Sequence, residues 1–264
     1  MFQPYYKKLN IEEKQPSLQL VKDIQKKHLE SFSFNNISVL LKQPISLEIE
    51  DIINKIVINN FGGYCFEHNK LIHDVLQSLG FNVRILVARV VNNQDIDTPR
   101  THRITLLEQD GDKYIVDVGF GAMCPKTPIK IDILNDSNQG YRIIKNNGNE
   151  FQLELSTQKG YFTLYKFNLE NYTQADCIMG NFYSSNHPNA VFVNNFVIAL
   201  KLEDITLSLR NNSYHKISEN HTEIINVTNP MQLYSIINDD FSISITEEQS
   251  SKLFGITKKL LENL

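Results

Sequence analysis

The chain has 264 residues, of which 41% are hydrophobic and 21% are charged, an ordinary composition for a globular protein. This length favours one closely knit unit of two or three subdomains over two separate enzymes. The net charge of −4 gives no indication of nucleic acid or an anionic membrane surface as a partner.

The first 80 residues are predicted to be mainly helical. Ser17 is a favourable N-cap for a segment whose apolar residues recur at helical spacing. Pro44 interrupts this pattern, and a second helix is predicted over residues 48–59. A third helix is predicted over residues 64–79, with Gly80 in the position that commonly follows a helix end.

From residue 81 the apolar period changes to two, which predicts β-strands. Asp110-Gly111 is a typical hairpin turn, and Asn147-Gly148 predicts another. These signals favour an antiparallel sheet or small barrel. Strands are expected at residues 81–91, 102–107, 114–120, 141–144, 151–155 and 161–167.

The last part of the chain combines strand and helix signals. Strands are predicted over residues 191–200 and 205–209, and helices over 231–237 and 246–261. We therefore expect an α+β protein that ends in a smaller α/β part.

The three cysteines, Cys65, Cys124 and Cys177, form no CxxC pair. Neither a zinc ribbon nor a thioredoxin-like site is expected, and we predict no metal. The first 15 residues contain no apolar leader, and no run approaches the roughly 18 apolar residues of a membrane helix. We therefore expect a cytoplasmic protein with no membrane partner, in which thiols stay reduced.

Cys65 lies at the start of the third predicted helix, directly after Gly62-Gly63-Tyr64. Unpaired N–H groups and partial positive charge at a helix N-terminus stabilise a thiolate, and the pKa at such sites falls to roughly 3.5–7.5. We therefore expect a nucleophile here. The alternative, favoured if Cys65 is considered alone, is a small hydrophobic residue in the core.

His102 and Asp117 lie on the two strands that flank Asp110-Gly111. A two-residue turn at this point would place residue 104 opposite Asp117 and make His102 its diagonal neighbour, about 7 Å away or less. Nδ1–H of His102 could then bond the carboxylate, which in a buried strand needs a partner. A solvated strand end for His102 and backbone capping for Asp117 are the alternatives. Cys65, His102 and Asp117 are thus the candidate catalytic residues.

Two motifs resemble those of the arylamine N-acetyltransferase family. Residues 61–69 are FGGYCFEHN, where the family usually has Arg-Gly-Gly-Tyr-Cys-Phe-Glu, and residues 116–121 are VDVGFG, like the family's aspartate motif. His102 stands before the second motif, as the family's histidine does. Weaker similarities are SFNNI at 33–37 and NHP at 186–188, with Phe192 beyond it. Phe61 departs from the family arginine, which puts any ion pair of that arginine in doubt.

The resemblance implies an arrangement like that of papain-type cysteine enzymes. It comprises a helical bundle (1–82) carrying Cys65, a β-barrel (83–190) carrying His102 and Asp117, and an α/β lid (191–264). It also implies ping-pong transfer of an acetyl group from acetyl-CoA to an arylamine, arylhydrazine or arylhydroxylamine. The residues expected to contact the acceptor are Phe66, Phe120, Gly121 and Phe192, although core packing is an alternative for each aromatic ring.

Two other functions remain open from the sequence. A hydrolase or an amide synthase using a different acyl donor would need the same acyl-cysteine chemistry. The second open function is that of a binding protein which retains the fold but has no catalytic activity. The sequence gives no indication of the oligomeric state, the physiological acceptor or the residues that hold the CoA nucleotide.

Overall fold

The computed structural model describes residues 1–12, 15–94, 96–131, 140–146 and 148–262. Helices dominate the first 80 residues, as the apolar spacing predicts. They are α1 (Gln3–Leu9), α2 (Leu18–Ser31), α3 (Ile37–Leu40), α4 (Ile49–Ile52), which continues as a π-helical segment (Ile53–Ile58), and α5 (Cys65–Ser78).

The ends of the predicted helices have the expected local causes. The hydroxyl of Ser17 accepts a hydrogen bond from the backbone N–H of Leu20 at 3.2 Å, which caps α2. Gly80 follows α5 with a φ of +86°, a conformation that glycine adopts without steric cost. Helices α2 and α5 bury their apolar faces in one core, to which Ile24 and Ile72 contribute fully buried side chains.

A seven-stranded antiparallel sheet forms the centre of the molecule. Its order is β5-β4-β3-β2-β8-β7-β6, and the edge strands β5 and β6 approach each other, so the sheet is nearly closed. The strands are β2 (Asn82–Val90), β3 (His102–Gln109), β4 (Asp112–Val116), β5 (Ile129–Lys130), β6 (Tyr141–Lys145), β7 (Glu150–Thr157) and β8 (Gly160–Asn168).

The hairpin between β3 and β4 has the predicted register. Asp110 and Gly111 both have positive φ, at 54° and 84°, as a tight two-residue turn requires. Thr105 consequently pairs with Val116, in the register that places residue 104 opposite 117. Strand β4 ends at Val116, so Asp117 lies just beyond the ladder.

A second sheet joins distant parts of the chain. Strand β1 (Phe34–Asn35) pairs antiparallel with β9 (Val197–Lys201), and the order continues to β10, β11 and β12. The remaining elements are α6 (Gln174–Asn186), α7 (Val191–Asn194), β10 (Thr206–Arg210), β11 (Ser213–Ile217), β12 (Thr222–Asn226), α8 (Pro230–Ser235) with a π-helical end (Ile236–Asp240), and α9 (Glu247–Glu262).

The α+β architecture is confirmed, but some local predictions differ from the structure. The strand predicted over residues 114–120 ends at Val116. Residues 191–194 form helix α7 instead of the start of a strand. Helix α6 was not predicted; at its start the backbone N–H of Thr173 donates to Asp176 Oδ2 at 2.7 Å, as in a capping box. The domain limits at residues 82 and 190 stay predictions, and Asn147 of the predicted turn lies outside the described residues.

Candidate active site

Cys65 is the first residue of α5 and is 2% exposed. The chain reaches it through a close approach to β1. A Cβ on Gly62, whose φ is +70°, would lie 2.0 Å from the carbonyl oxygen of Ser33. Only glycine fits there, so the Gly62-Gly63 pair fixes where the helix begins. The Cys65 Sγ lies 3.6 Å from the carbonyl oxygen of Thr101, which precedes β3.

His102 and Asp117 form a buried hydrogen-bonded pair. His102 Nε2 lies 2.7 Å from Asp117 Oδ2, with side-chain exposures of 2% and 0%. The prediction that Nδ1 of His102 contacts Asp117 is wrong. Asp117 lies beyond the paired end of β4, and there Nε2 of the imidazole reaches its carboxylate. Within the described part of the chain, Nδ1 of His102 has no hydrogen-bond partner.

Asn69 links the cysteine helix to the aspartate. Its Nδ2 donates to Asp117 Oδ1 at 2.9 Å and to the carbonyl oxygen of Arg103 at 2.6 Å, while its Oδ1 accepts from the N–H of Val118 at 2.9 Å. Asp117 Oδ1 also accepts from the N–H of Gly119 at 2.8 Å. Together these hydrogen bonds fix the orientation of the Asn69 amide and of the Asp117 carboxylate.

The charge of Asp117 is well supported in this environment. Burial would raise the pKa of Asp117, but attraction to His102 and hydrogen bonds from His102, Asn69 and Gly119 outweigh it and lower the pKa below its usual value. Asp117 is therefore an anion at neutral pH.

The thiol of Cys65 behaves differently from the sequence-based expectation. Burial raises its pKa, the negative charge of Asp117 raises it further, and hydrogen bonding with the backbone of Phe66 and Arg103 only partly offsets both. The prediction that the helix N-terminus lowers this pKa is therefore wrong, because burial and the charge of Asp117 outweigh it. A thiolate at Cys65 requires a nearby base that accepts the proton.

Gly119 brings the aspartate loop against the cysteine. A Cβ on Gly119 would lie 2.7 Å from Cys65 Cα and 2.7 Å from Asn69 Nδ2. The absence of a side chain thus allows the segment after β4 to pack directly on α5.

A cavity of about 490 Å³ opens beside these residues. Cys65 and His102 both line it, and so do three of the four predicted acceptor contacts: Phe120, Gly121 and Phe192. Phe66 does not. Its side chain is fully buried and packs under Gly180, where an added Cβ would lie 2.6 Å from the ring. The assignment of Phe66 to the pocket is therefore corrected to core packing.

Aromatic rings surround the imidazole and the cavity wall. Phe120 contacts His102 edge to face at 5.0 Å between ring centroids, and Tyr165 lies 5.0 Å from the same ring. Across the cavity, Phe192 packs 5.9 Å from Phe34, which also lines the cavity. The lining of the cavity is mostly apolar, which suits a flat aromatic ligand.

Sequence reasoning gave no role to Asn69, Tyr165 or Phe34. Asn69 could have been found, since it is four residues after Cys65 and therefore on the same helical face. Tyr165 and Phe34 reach the site only through the folding of distant strands. Phe34 lies in the SFNNI segment that resembles the family, but that similarity indicates no role for it, and no local signal marks Tyr165.

The other two cysteines are buried in structural positions. Cys124 Sγ donates to the carbonyl oxygen of Asp117 at 3.0 Å, and Cys177 is fully buried in the core. Across the described ranges, no cluster of three or more His, Cys, Asp or Glu side chains has metal-binding geometry. No described helix is both long and apolar enough to cross a bilayer.

Comparison with known proteins agrees with this architecture. Residues 17–250 match the family model described as N-acetyltransferase. An arylamine N-acetyltransferase of Escherichia coli (strain K12) is 34% identical over 227 residues, covering 84% of this chain and 80% of that protein. The Salmonella typhimurium arylamine N-acetyltransferase structure superposes with a TM-score of 0.90 at 27% identity, over 96% of this chain and 97% of that one.

A Mycobacterium marinum arylamine N-acetyltransferase solved in complex with CoA is also similar. It superposes with a TM-score of 0.91 at 26% identity, over 97% of this chain and 99% of that one. The shared fold and the family match define this protein as an acyltransferase of the N-acetyltransferase class. More particularly, the chain belongs to the arylamine N-acetyltransferase family, as its two motifs indicate.

Proposed function

We propose that this enzyme transfers acetyl groups from acetyl-CoA to arylamines, arylhydrazines or arylhydroxylamines through an acetyl-Cys65 intermediate. The main support is that Cys65 and His102 line one cavity while Asp117 holds the opposite nitrogen of the imidazole. This is the arrangement that a base-activated cysteine nucleophile needs.

The first half-reaction loads the enzyme. Nδ1 of His102 accepts the proton of Cys65, and Asp117 stabilises the resulting imidazolium. The thiolate attacks the thioester carbonyl of acetyl-CoA, and a tetrahedral intermediate forms. The bond between the carbonyl carbon and the CoA sulfur then breaks, and His102 returns the proton to the departing CoA thiolate. Acetyl-Cys65 and free CoA are the products of this half-reaction.

The second half-reaction discharges the acetyl group. The acceptor nitrogen attacks the carbonyl of acetyl-Cys65 and gives its proton to His102. Collapse of the intermediate breaks the bond to Cys65 Sγ, which regains the proton, and the amide leaves. The backbone N–H of Cys65, at the first turn of α5, is our candidate for one donor to the oxyanion in both steps.

The two substrates would share the cavity. Phe120 and Phe192 offer ring faces and edges to an aromatic acceptor, and Gly121 leaves space beside them. The acyl donor is a polyanion, and Arg210, which is among the described residues that line the cavity, offers a positive charge to it. The CoA complex of the M. marinum relative supports acetyl-CoA as the donor for this chain too.

Intact-protein mass spectrometry with acetyl-CoA tests the intermediate. We expect one acetyl group on the wild-type chain, located at Cys65 by peptide mapping and removed when an arylamine is added. Cys65→Ala should abolish the adduct, and Cys177→Ser should keep it. An adduct at another cysteine, or one that water discharges as fast as any amine, contradicts the proposal; the second result would indicate a hydrolase.

A further inference from the structure

We propose that Lys55 is a positioning residue for Cys65, acting through the carboxylate of Glu67. The inference rests on the proposed function, because it takes Cys65 as the nucleophile. Lys55 does not line the cavity beside Cys65, so it acts through Glu67 and not by contact with substrate.

The carboxylate of Glu67 connects the cation to the start of the catalytic helix. Lys55 Nζ lies 2.6 Å from Glu67 Oε1, and Glu67 Oε2 accepts from the backbone N–H of Tyr64 at 3.0 Å. The side chains of Lys55 and Glu67 are 21% and 2% exposed. One carboxylate oxygen therefore binds the ammonium while the other holds the residue directly before Cys65.

The neighbouring glycine shows how tightly this turn depends on Glu67. A Cβ on Gly63 would lie 2.6 Å from Glu67 Oε2, so the backbone packs directly against the carboxylate. Glu67 therefore packs closely against the segment that leads into Cys65.

A buried carboxylate is costly unless a charged or hydrogen-bonding partner compensates it, and Lys55 is such a partner for Glu67. Cys65 and His102 line one cavity, and besides burial the negative charges of Asp117 and Glu67 both raise the pKa of the Cys65 thiol. Lys55 balances the second of these charges. Without Lys55, Glu67 would oppose formation of the thiolate more strongly and would lose the contact that fixes its orientation.

Lys55 reaches Glu67 from the π-helical segment that extends α4. The carbonyl oxygen of Lys55 accepts from the N–H of Phe61 at 2.9 Å, and its Nζ lies 5.8 Å from the centre of the Phe61 ring. Position 61, where the family motif usually has arginine, is therefore next to this ion pair. In this chain Lys55 is the cation that binds Glu67, and an arginine introduced at position 61 would be close enough to replace it.

Alkylation of Cys65 by iodoacetamide, followed by peptide mapping across a pH series, tests the role of Lys55. Lys55→Met should raise the apparent pKa of Cys65 by about one unit, and so slow alkylation roughly tenfold at neutral pH. Lys55→Arg should stay near wild type. Phe61→Arg introduced into Lys55→Met should recover most of the lost rate. The matched control, Lys70→Met, breaks the Lys70–Asp74 pair farther along α5 and should change nothing.

Glu67→Gln separates charge balance from general loss of structure. Because the neutral amide keeps the contact with Tyr64, adding Lys55→Met to Glu67→Gln should slow alkylation no further. An unchanged pH profile in folded Lys55→Met, equal damage from Lys55→Arg, no recovery with Phe61→Arg, or a further loss in the Glu67→Gln background would each overturn the proposal. Alkylation requires no acyl donor, so a wild-type chain without acetyl transfer would refute the proposed function and leave this test intact.

Discussion

Replacing Asp117 by asparagine should disable His102 without changing the shape of the site. Oδ1 of Asp117 accepts from two donors, Asn69 Nδ2 and the N–H of Gly119, so the amide oxygen of an asparagine must take that position. Its NH2 group then faces His102 Nε2, which must accept a hydrogen bond instead of donating one. The imidazole proton moves to Nδ1, the nitrogen that is meant to receive the proton of Cys65.

The size of the effect follows from the lost charge. A carboxylate and an imidazolium about 4 Å apart attract each other by about 4 kcal/mol at an effective dielectric constant near 20. Since about 1.4 kcal/mol corresponds to a factor of ten, we expect Asp117→Asn to slow acylation of Cys65 roughly a thousandfold. The buried position of Asp117 supports an estimate at this level, since water cannot screen the pair.

Stopped-flow acylation by acetyl-CoA, with alkylation of Cys65 as a second readout, measures this loss. Urea unfolding of the same variant shows whether the fold is retained, and Asp74→Asn is the control because that carboxylate binds Lys70 and His73 outside the site. A folded Asp117→Asn variant that keeps more than a tenth of the wild-type acylation rate would refute the tautomer argument.

Three further predictions concern the donor, the loop and a buried histidine pair. Arg210→Gln should raise the KM for acetyl-CoA about fivefold, because an exposed ion pair contributes about 1 kcal/mol. The KM for p-nitrophenyl acetate, an uncharged donor, should not change. Equal changes in KM for both donors would exclude a contact between Arg210 and the phosphates. Gly119→Ala should lower kcat at least tenfold in a folded protein, because its methyl group would meet Cys65 Cα at 2.7 Å, and wild-type kcat would contradict this. Burial lowers the pKa of His68 to about 4, and its Nδ1 lies 2.8 Å from His28 Nε2. The unfolded chain takes up this proton below about pH 6.5 and the folded chain only near pH 4, so stability is full above pH 6.5 and falls as pH is lowered. Urea unfolding should show that the wild-type free energy of unfolding falls by about 2 kcal/mol between pH 6.5 and pH 5. This loss should be smaller in His68→Gln but not in His221→Gln, whose side chain is exposed. Equal losses in all three proteins would contradict the assignment of the effect to His68.

Much of the site was predictable because its signals are local. The Gly62-Gly63 pair before Cys65 indicates a tight start to a helix, and Asp110-Gly111 determines which residues of β3 and β4 lie opposite each other. The turn type alone therefore places His102 near Asp117. The apolar periods of 3.6 and 2 likewise depend on neighbours along the chain, which is why the α+β class could be predicted.

Only the tertiary structure decided which groups are buried and which distant segments meet. Burial reverses the direction of the Cys65 pKa shift expected from the helix N-terminus, and it removes Phe66 from the pocket. The pairing of β1 with β9 and the reach of Lys55 to Glu67 join segments far apart in sequence. Desolvation and side-chain contact depend on the packing of the whole chain, whereas turns, caps and periodicity depend on a few consecutive residues.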